Sequence, residues 1–411
     1  MKFLFLTNFY PPASRGGYEQ WCQEVAHRLK NRGHDVLILT STHGRNSLQS
    51  PDPEWVRRIL HLEMEIASIR NSIQFFASRK KREKENWTLL QQTIEGHAPD
   101  AILIWGMWNL PRSLPALAEK LMPGKIAYYM GDYWPTLPSQ FENYWNAPPR
   151  NFFTGLPKSF LKPVAQRILA NEEKPALLLD RVIFPSAFMR DEFICKGITP
   201  KDTEVIYGAI ETSPYRDLEK KSKQNDKISL LYIGRLTHEK GVHTAIKALA
   251  HLVDQHGLKN LKLTIVGDGD PDYVEHLQQL VEQKKITPFV TFMPAQPKET
   301  LPAFYHQSDI FLFTSIWAEP FGRVIVEAMA AGVAVVGTAV GGASEILIEN
   351  ENALIFTPDD PASLSRQLKQ LIETPSLRRQ LANAGRQIAV DKFDIKRMTT
   401  EIEAYLKTLS N

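Results

Sequence analysis

The sequence predicts an α/β protein with two doubly wound parallel sheets. Short runs of continuous apolar residues alternate with segments of helical period, which is the pattern of strands covered by helices on both faces. The alternation runs through the first half, stops at a polar, charged stretch and then repeats. A chain of 411 residues, 43% of them hydrophobic, is also too long for a single core.

The first half contains the elements of one such sheet in order. Lys2–Thr7 is predicted to be a buried strand, and Tyr18–Asn31 the helix that follows it. Residues 43–98 and 133–175 are rich in Trp, Pro and basic residues, and we expect them to be less regular insertions. The other predicted elements are strands at Asp35–Leu39, Asp100–Trp105, Lys125–Met130 and Arg181–Pro185 and a helix at Pro111–Leu121.

The second half repeats this pattern after a predicted linker. Residues 212–227 are polar and charged, and they include Lys220-Lys-Ser-Lys223. We therefore expect one Rossmann-like domain over residues 1–211, a second over residues 228–392, and a last helix within residues 393–411. The strands of the second domain are predicted at Ile228–Ile233, Leu261–Val266, Val290–Met293, Asp309–Phe313, Val333–Gly337 and Ala353–Phe356.

Charge and cysteine content exclude several classes of protein. The formal net charge of +3 is too small to indicate a nucleic-acid-binding protein of this length. Cys22 and Cys195 are far apart and fall in predicted helices, so we expect neither a disulfide framework nor a cysteine metal site. The opening apolar run is too short for a signal peptide, and no run reaches the ~18–20 apolar residues of a membrane span. We expect a cytoplasmic protein whose membrane contact, if it has one, is peripheral and at the inner face.

Glu319 and Glu327 are the most informative pair of residues. They lie at the two ends of Glu319-Pro-Phe-Gly-Arg-Val-Ile-Val-Glu327, directly after a predicted strand. Pro320 suits the first position of a helix and Gly332 suits the residue after its end, so a helix is predicted to begin beside Glu319. Gly322 would leave the first turn open to a phosphate, with the two carboxylates roughly 12 Å apart along the axis. Two glutamates at this spacing are common, but a carboxylate in an apolar helix needs hydroxyls, a cation or water.

Four further segments with glycines follow predicted strands. Arg235 and Lys240, in Gly234-Arg235-Leu-Thr-His-Glu-Lys240, could neutralise a diphosphate or be solvated surface cations. Gly16-Gly17 could admit a phosphate or an acceptor, or form an ordinary tight turn. Gly341-Gly342 could hold a nucleotide or a sugar, or form a turn at the end of a strand.

A fourth segment, Gly267-Asp268-Gly269-Asp270, has the spacing of a metal-binding Asp-x-Asp. Its position between a strand and Pro271 favours a turn whose glycines let a nucleotide come close. We therefore expect no divalent-metal site here.

In this order and context, the segments resemble those of glycosyltransferase family 4, retaining enzymes of the GT-B fold whose signature is Glu-x7-Glu. The resemblance covers nearly the whole chain. It implies two Rossmann-like domains whose parallel sheets face an inter-domain cleft, with a nucleotide diphosphate sugar bound mainly by the second domain and an acceptor by the first. It also implies that Phe393–Leu409 crosses back to the first domain, and that the reaction needs neither a metal nor another cofactor.

The resemblance assigns roles to individual residues. Glu319 would hydrogen-bond hydroxyls of the donor sugar and Glu327 those of the ribose. Arg235 and Lys240 would stabilise the departing diphosphate. The remaining donor-binding positions would be Gly16, Gly17, Gly267, Gly269, Phe321, Gly322, Gly341 and Gly342.

The sequence departs from the family at Gly131. Many relatives carry a histidine-aspartate pair at the end of the strand that here ends in Met130-Gly131-Asp132. Asp132 is the nearest polar substitute and therefore a catalytic candidate. Alternatively, it forms an Asx turn or a helix cap before Tyr133-Trp134-Pro135.

Together, these features favour a retaining glycosyltransferase that moves a sugar from a nucleotide diphosphate sugar to a hydroxyl of a glycan, a lipid-linked molecule or a small molecule. Loss of the histidine leaves a second hypothesis, a nucleotide-sugar-binding subunit that serves a partner transferase without turnover. Arg79-Lys-Lys-Arg-Glu-Lys84 is either a solvated helix face or a patch for an anionic membrane or acceptor. In the second case, Phe152-Phe153 and Phe160-Leu161-Lys162 would supply the apolar contact.

Overall fold

A computed structural model of the protein describes residues 1–13, 16–48, 50–65, 71–148, 152–216 and 227–409. The chain forms two compact units, each with one parallel sheet. The first unit comprises Met1–Phe184, Arg190–Ile206 and Thr399–Asn411, and the second comprises Pro185–Met189 and Tyr207–Met398. Most of the expected linker, including Lys220-Lys-Ser-Lys223, lies outside the described residues. The predicted fold class, with two parallel Rossmann-like domains, is confirmed.

The sheet of the first unit has seven parallel strands. They are β1 (Lys2–Leu6), β2 (Asp35–Ser41), β3 (Val56–Leu60), β4 (Ala101–Ile104), β5 (Ile126–Tyr129), β6 (Arg181–Phe184) and β7 (Asp202–Val205). Their order across the sheet is β3-β2-β1-β4-β5-β6-β7. The order reverses between β1 and β4, and ligands of such sheets bind beyond the carboxyl ends of the strands at this point.

Two segments that we expected to be less regular insertions contain several regular elements. Residues 43–98 contain strand β3 and two helices, and residues 133–175 contain two more. Only the start of Arg79–His97 was considered as a helix face, because this helix is polar on nearly every face and lacks the apolar stripe that marks a helix in sequence. The helices up to residue 195 are α1 (Gly17–Asn31), α2 (Asn71–Ala77), α3 (Arg79–His97), α4 (Ser113–Leu121), α5 (Gln140–Asn146), α6 (Phe152–Ala170) and α7 (Ala187–Cys195).

The sheet of the second unit repeats the same topology. Its strands are β8 (Ile228–Ile233), β9 (Leu261–Val266), β10 (Val290–Met293), β11 (Ile310–Phe313), β12 (Ala334–Gly337) and β13 (Ala353–Ile355), in the order β10-β9-β8-β11-β12-β13. All six strands were predicted, because each is a short run of mostly apolar residues between helical segments. The order reverses between β8 and β11, which marks the loops after these two strands as the place for a ligand.

Helices cover both faces of this second sheet. The helices of this unit are α8 (Ser213–Arg216), α9 (Val242–Asp254), α10 (Pro271–Gln283), α11 (Leu301–His306), α12 (Arg323–Ala330), α13 (Pro361–Glu373) and α14 (Pro375–Lys392). The last helix, α15 (Ile395–Thr408), begins in this unit. Apolar residues of α9, α10 and α13 form one continuous core with those of the strands. The later part of α15, from Thr399 onward, belongs to the first unit, where Glu403 accepts a 2.6 Å hydrogen bond from Arg32.

Helix α12 begins later than predicted. Gly322 precedes it with a φ of +116°, and the first helical residue is Arg323 rather than Pro320. A positive φ cannot be part of an α-helix, so Glu319-Pro-Phe forms a loop and the axial separation expected for the two glutamates does not apply. The end of the helix is as predicted, because Gly332 has a φ of +66°.

Candidate functional site

The loops after β8 and β9 pack backbone to backbone. A Cβ atom on Gly267 would lie 1.9 Å from the carbonyl oxygen of Gly234, and one on Gly269 would lie 1.9 Å from that of Leu236. Two hydrogen bonds join the loops: the Leu236 amide donates to Asp268 O at 2.9 Å, and the Asp270 amide donates to Leu236 O at 3.1 Å. Gly267 and Gly269 are thus required for contact between the loops, and the approach of a nucleotide to them stays a prediction.

Gly341 and Gly342 have the same role beside Glu319. Their Cβ atoms would lie 2.5 Å from Glu319 O and 2.3 Å from Pro320 O, and the Gly342 amide donates to Glu319 O at 2.6 Å. A side chain at either glycine would displace this loop. The glycine pair therefore fixes the backbone that carries the Glu319 carboxylate.

Lys240 and Glu319 are brought together at this edge of the second sheet. Lys240 Nζ donates to Glu319 Oε1 at 2.5 Å, and the side chains of the two residues are only 13% and 16% exposed. The ammonium also lies 5.5 Å from the centre of the Trp317 ring, a distance that allows a cation–π interaction. Trp317 was missed in the sequence, where nothing local distinguishes a tryptophan in a loop from one in the core.

Arg235 lies on the neighbouring loop and is exposed. Tyr232 donates a 2.9 Å hydrogen bond to its carbonyl oxygen, which holds the backbone. The guanidinium makes no hydrogen bond or ion pair with the residues that the structure describes. It is a cation available to an anionic ligand at the end of β8.

Glu327 is nearly fully buried, with 4% exposure, and Tyr305 and Arg323 are among its protein partners. Tyr305 donates its hydroxyl to Oε2 at 2.9 Å, and Arg323 Nε lies 3.5 Å from Oε1. Burial, reinforced by the carboxylate, raises the pKa of Tyr305, so its phenol stays protonated and donates. The Tyr305 hydroxyl and the Arg323 guanidinium are the kinds of partner that we expected a carboxylate in an apolar helix to need. The i,i+4 spacing could have indicated Arg323. Tyr305 lies on α11, and no local signal points to it.

The other candidates of the second unit differ in their surroundings. Phe321 is 2% exposed and packs against Phe393 with ring centres 5.6 Å apart, so its predicted contact with a donor can come only from its backbone. Gly322 is buried and provides no side-chain cap for α12, and its contact with a phosphate stays a prediction. Asp270 accepts a 3.1 Å hydrogen bond from the Asp272 amide and caps α10, the turn role that we favoured for this segment.

The first unit has its own candidate site at the carboxyl edge of its sheet. Helix α1 begins at Gly17, and the Gly16 amide donates to Glu19 Oε2 at 3.0 Å. The nearest atom to a Cβ on Gly16 would be that same oxygen, 3.8 Å away, so this position is open. A ligand can therefore approach Gly16, although the Glu19 carboxylate already accepts the hydrogen bond of the Gly16 amide.

Asp132 follows β5 and is partly buried. Its Oδ1 accepts a 3.3 Å hydrogen bond from the Trp134 amide, the geometry of the Asx turn that we considered. Burial raises the pKa of Asp132 to about 7, the Trp134 N–H group opposes this change, and the Glu19 carboxylate adds to it. A carboxyl with a pKa near neutrality can exchange a proton, so the turn and a catalytic role are compatible.

Two other properties bear on the class of protein. Among the described residues, no group of three or more His, Cys, Asp or Glu side chains is arranged to hold a metal ion. No helix of the described ranges is long and apolar enough to span a membrane.

Comparison with known proteins identifies the family. Residues 15–214 match the model described as Glycosyltransferase Family 4, and residues 216–388 match the model described as Glycosyl transferases group 1. An uncharacterized glycosyltransferase of Methanocaldococcus jannaschii is 30% identical over 224 residues, which are 52% of this chain and 56% of that protein. The chain covers little more than half the length of the curated relatives it matches.

Solved structures match the whole chain. A glycosyltransferase from Rickettsia africae superimposes with a TM-score of 0.72 at 19% identity, covering 99% of this chain and 98% of the other. HepE of Anabaena, solved with UDP-glucose, gives a TM-score of 0.71 at 23% identity, covering 99% of this chain and 100% of the other. These likenesses concern the fold, and the two family models together account for nearly the whole sequence. The chain belongs to glycosyltransferase family 4, which these two models describe half by half, and has the GT-B fold.

Proposed function

We propose that the protein is a retaining glycosyltransferase that moves a sugar from a nucleotide diphosphate sugar to a hydroxyl acceptor. One observation carries the proposal: the loops after β8 and β11 bring Lys240 and Glu319 together, and the loop that carries Lys240 also carries Arg235, whose guanidinium has no hydrogen bond or ion pair with a described residue. This arrangement combines cations for a diphosphate with a carboxylate for sugar hydroxyls. HepE of Anabaena, which has the same fold, was solved with UDP-glucose, and this supports a donor of that chemical class.

Each donor residue has a role in this proposal. Arg235 and Lys240 neutralise the diphosphate, whose negative charge grows as the sugar leaves. Glu319 accepts hydrogen bonds from sugar hydroxyls and orients Lys240 toward the phosphate. Glu327, held by Tyr305 and Arg323, accepts hydrogen bonds from the ribose hydroxyls.

The reaction breaks the bond between the anomeric carbon and the phosphate oxygen, and the bonding electrons remain on the diphosphate. The acceptor oxygen attacks from the same face, and its proton passes to the leaving phosphate. This route requires no enzyme nucleophile. Because two side-chain cations stabilise the leaving group, we also propose that no metal or other cofactor takes part.

A first experiment measures release of nucleoside diphosphate from UDP-glucose, UDP-N-acetylglucosamine, GDP-mannose and ADP-glucose, with and without acceptor extracts. Arg235→Ala and Lys240→Ala should each lower kcat/KM by roughly 10²–10³, the scale of losing one donor to a developing anion. Arg366→Ala is the matched control, because this exposed arginine lies on α13 of the same unit. Equal losses in the control and the two site variants would remove Arg235 and Lys240 from the reaction.

The same experiment tests the alternative of a binding subunit without turnover, which the missing side chain at Gly131 favours. Such a protein would bind UDP or another nucleoside diphosphate in calorimetry, and Glu327→Ala would weaken that binding. It would release nothing from any donor, even with acceptor extracts present.

We further propose a peripheral contact with an anionic membrane through α2 and α6 of the first unit. These helices share with α5 a small core of Phe75, Phe141, Trp145 and Ala165. Phe160 on α6 is 88% exposed. Exposed basic residues flank the patch, including Lys80 and Lys81 at the start of α3. The side chains of Phe152 and Phe153, which we also predicted to contribute, lie outside the described part of the chain. Among the side chains that the structure describes, the exposed large apolar residues of the two helices are Ile73, Phe76, Phe160, Leu161 and Val164.

Co-sedimentation with phosphatidylcholine vesicles, with and without phosphatidylglycerol, tests this contact. Phe160→Ser with Leu161→Ser should weaken binding to the anionic vesicles about tenfold. Ile348→Ser is the control, because Ile348 is an exposed apolar residue of the second unit. Binding that is equally strong in all three proteins would refute the assignment of this surface.

A further inference from the structure

Two glycines at the ends of neighbouring strands face the ring of Tyr18. Gly106 follows β4, and a Cβ atom there would lie 3.1 Å from Tyr18 Cε1. Gly131 follows β5, and its Cβ would lie 2.7 Å from both Cδ2 and Cε2 of the same ring. The ring thus occupies the volume that a side chain at position 131 would need. The histidine that the family resemblance would place at position 131 does not fit beside this ring.

The Tyr18 side chain is fixed in this place. Its hydroxyl donates a hydrogen bond to the carbonyl oxygen of Tyr129, the last residue of β5. Its ring contacts those of Trp21 and Trp105, with centres 6.5 Å and 5.9 Å apart. Because Tyr18 lies in the first turn of α1, it joins the loop after β1 to the turn after β5.

We propose that Tyr18 is a positioning residue that acts through Asp132. Its ring and hydroxyl hold the end of β5 and the turn at Gly131, and this turn places the Asp132 carboxyl at the edge of the first sheet. The inference rests on the proposed function and adds to it that the Asp132 carboxyl orients the acceptor hydroxyl. Burial and the neighbouring Asp132 carboxylate raise the pKa of Tyr18, so the phenol stays protonated and does not itself act as a base.

A double-mutant cycle separates positioning from an independent role. Tyr18→Ala and Asp132→Asn should each lower kcat for sugar transfer about tenfold, with an unchanged calorimetric Kd for UDP. The double variant should lose no more than Asp132→Asn alone, because the two residues act as one unit. The proposal would be overturned if the fold-losses in kcat of the two single variants multiplied in the double variant, or if Tyr18→Ala bound UDP tenfold more weakly.

A second cycle tests the steric relation and needs no substrate. Gly131→Ala should lower Tm by roughly 5 °C, because its new methyl group meets the ring, and the loss should shrink when Tyr18→Ala is added. Gly96→Ala is the control, because a Cβ at that position meets nothing within 4 Å. Additive changes in Tm would overturn the placement of Tyr18. If the two substitutions are coupled in Tm but the protein transfers no sugar from any donor, the placement of Tyr18 stands and the proposed function is refuted.

Discussion

The Lys240–Glu319 pair should be a strongly coupled interaction, which a double-mutant cycle can measure. The charged atoms are 2.5 Å apart, and both side chains are more than four-fifths buried. A charge-assisted hydrogen bond of this kind contributes about 1.5–3 kcal/mol, and removing one partner leaves the other charge without compensation. We therefore expect Lys240→Met and Glu319→Gln each to lower the free energy of unfolding by ~2–3 kcal/mol, with a coupling energy of ~1.5–3 kcal/mol.

The assay is urea unfolding of the intact chain, followed by circular dichroism, for the wild type, both single variants and the double variant. Lys369 and Glu373 provide a matched control in the same unit. This i,i+4 pair has a 3.1 Å distance but side chains that are 37% and 52% exposed, so its coupling should be about 0.3–0.5 kcal/mol. A Lys240–Glu319 coupling no larger than that of the control would refute the argument that burial makes this pair strong.

Three further predictions concern single residues. Glu327→Ala should weaken calorimetric binding of UDP about 10–100-fold, whereas Tyr305→Phe should have a smaller effect because the carboxylate remains; equal effects would contradict the assignment of the carboxylate to the ribose. Gly267→Ala should lower the free energy of unfolding by ~1–3 kcal/mol in urea, since its methyl group would meet the Gly234 carbonyl, and an unchanged stability would show that the loops can separate freely. The folded-state pKa of Asp132, about 7, lies above its ordinary value of 3.8, so its contribution to stability is full below pH 4 and is lost as pH rises toward 7. The free energy of unfolding of Asp132→Asn, relative to that of the wild type, should therefore rise by ~1–2 kcal/mol between pH 4 and pH 8, a figure lowered because Asp132 is partly exposed. A difference that is independent of pH would contradict the raised pKa.

Strands that are apolar throughout could be predicted, and polar elements could not. All six strands of the second unit lie where expected, but Asp202–Val205 was missed because this edge strand is charged and largely exposed. A strand with one neighbour is stabilised by backbone pairing, which leaves little trace in composition. The start of α12 was misplaced because Pro320 is a common first helical residue, whereas the φ of Gly322 depends on its surroundings.

The residues of the candidate site whose position follows from the order of the strands could be predicted. The contacts of the site between segments that are distant in sequence could not. Arg235, Lys240 and Glu319 all follow strands beside the switch point, so their shared edge could be expected. The partnership of Glu327 with Tyr305 joins two helices separated by a strand, and no spacing rule indicates it. That the glycines contact neighbouring loops likewise appears only in three dimensions, and their contact with a nucleotide stays a prediction.

The central claim is metal-free transfer with retention from a nucleotide sugar. The most direct measurement is proton NMR of the reaction with an α-linked donor from the panel above, an acceptor extract and EDTA, which follows the anomeric proton of the product and the released nucleoside diphosphate. We predict an α-linked product and nucleoside diphosphate in equal amounts, formed with EDTA present and lost in Lys240→Ala. A β-linked product, or activity that EDTA abolishes and magnesium restores, would contradict the account.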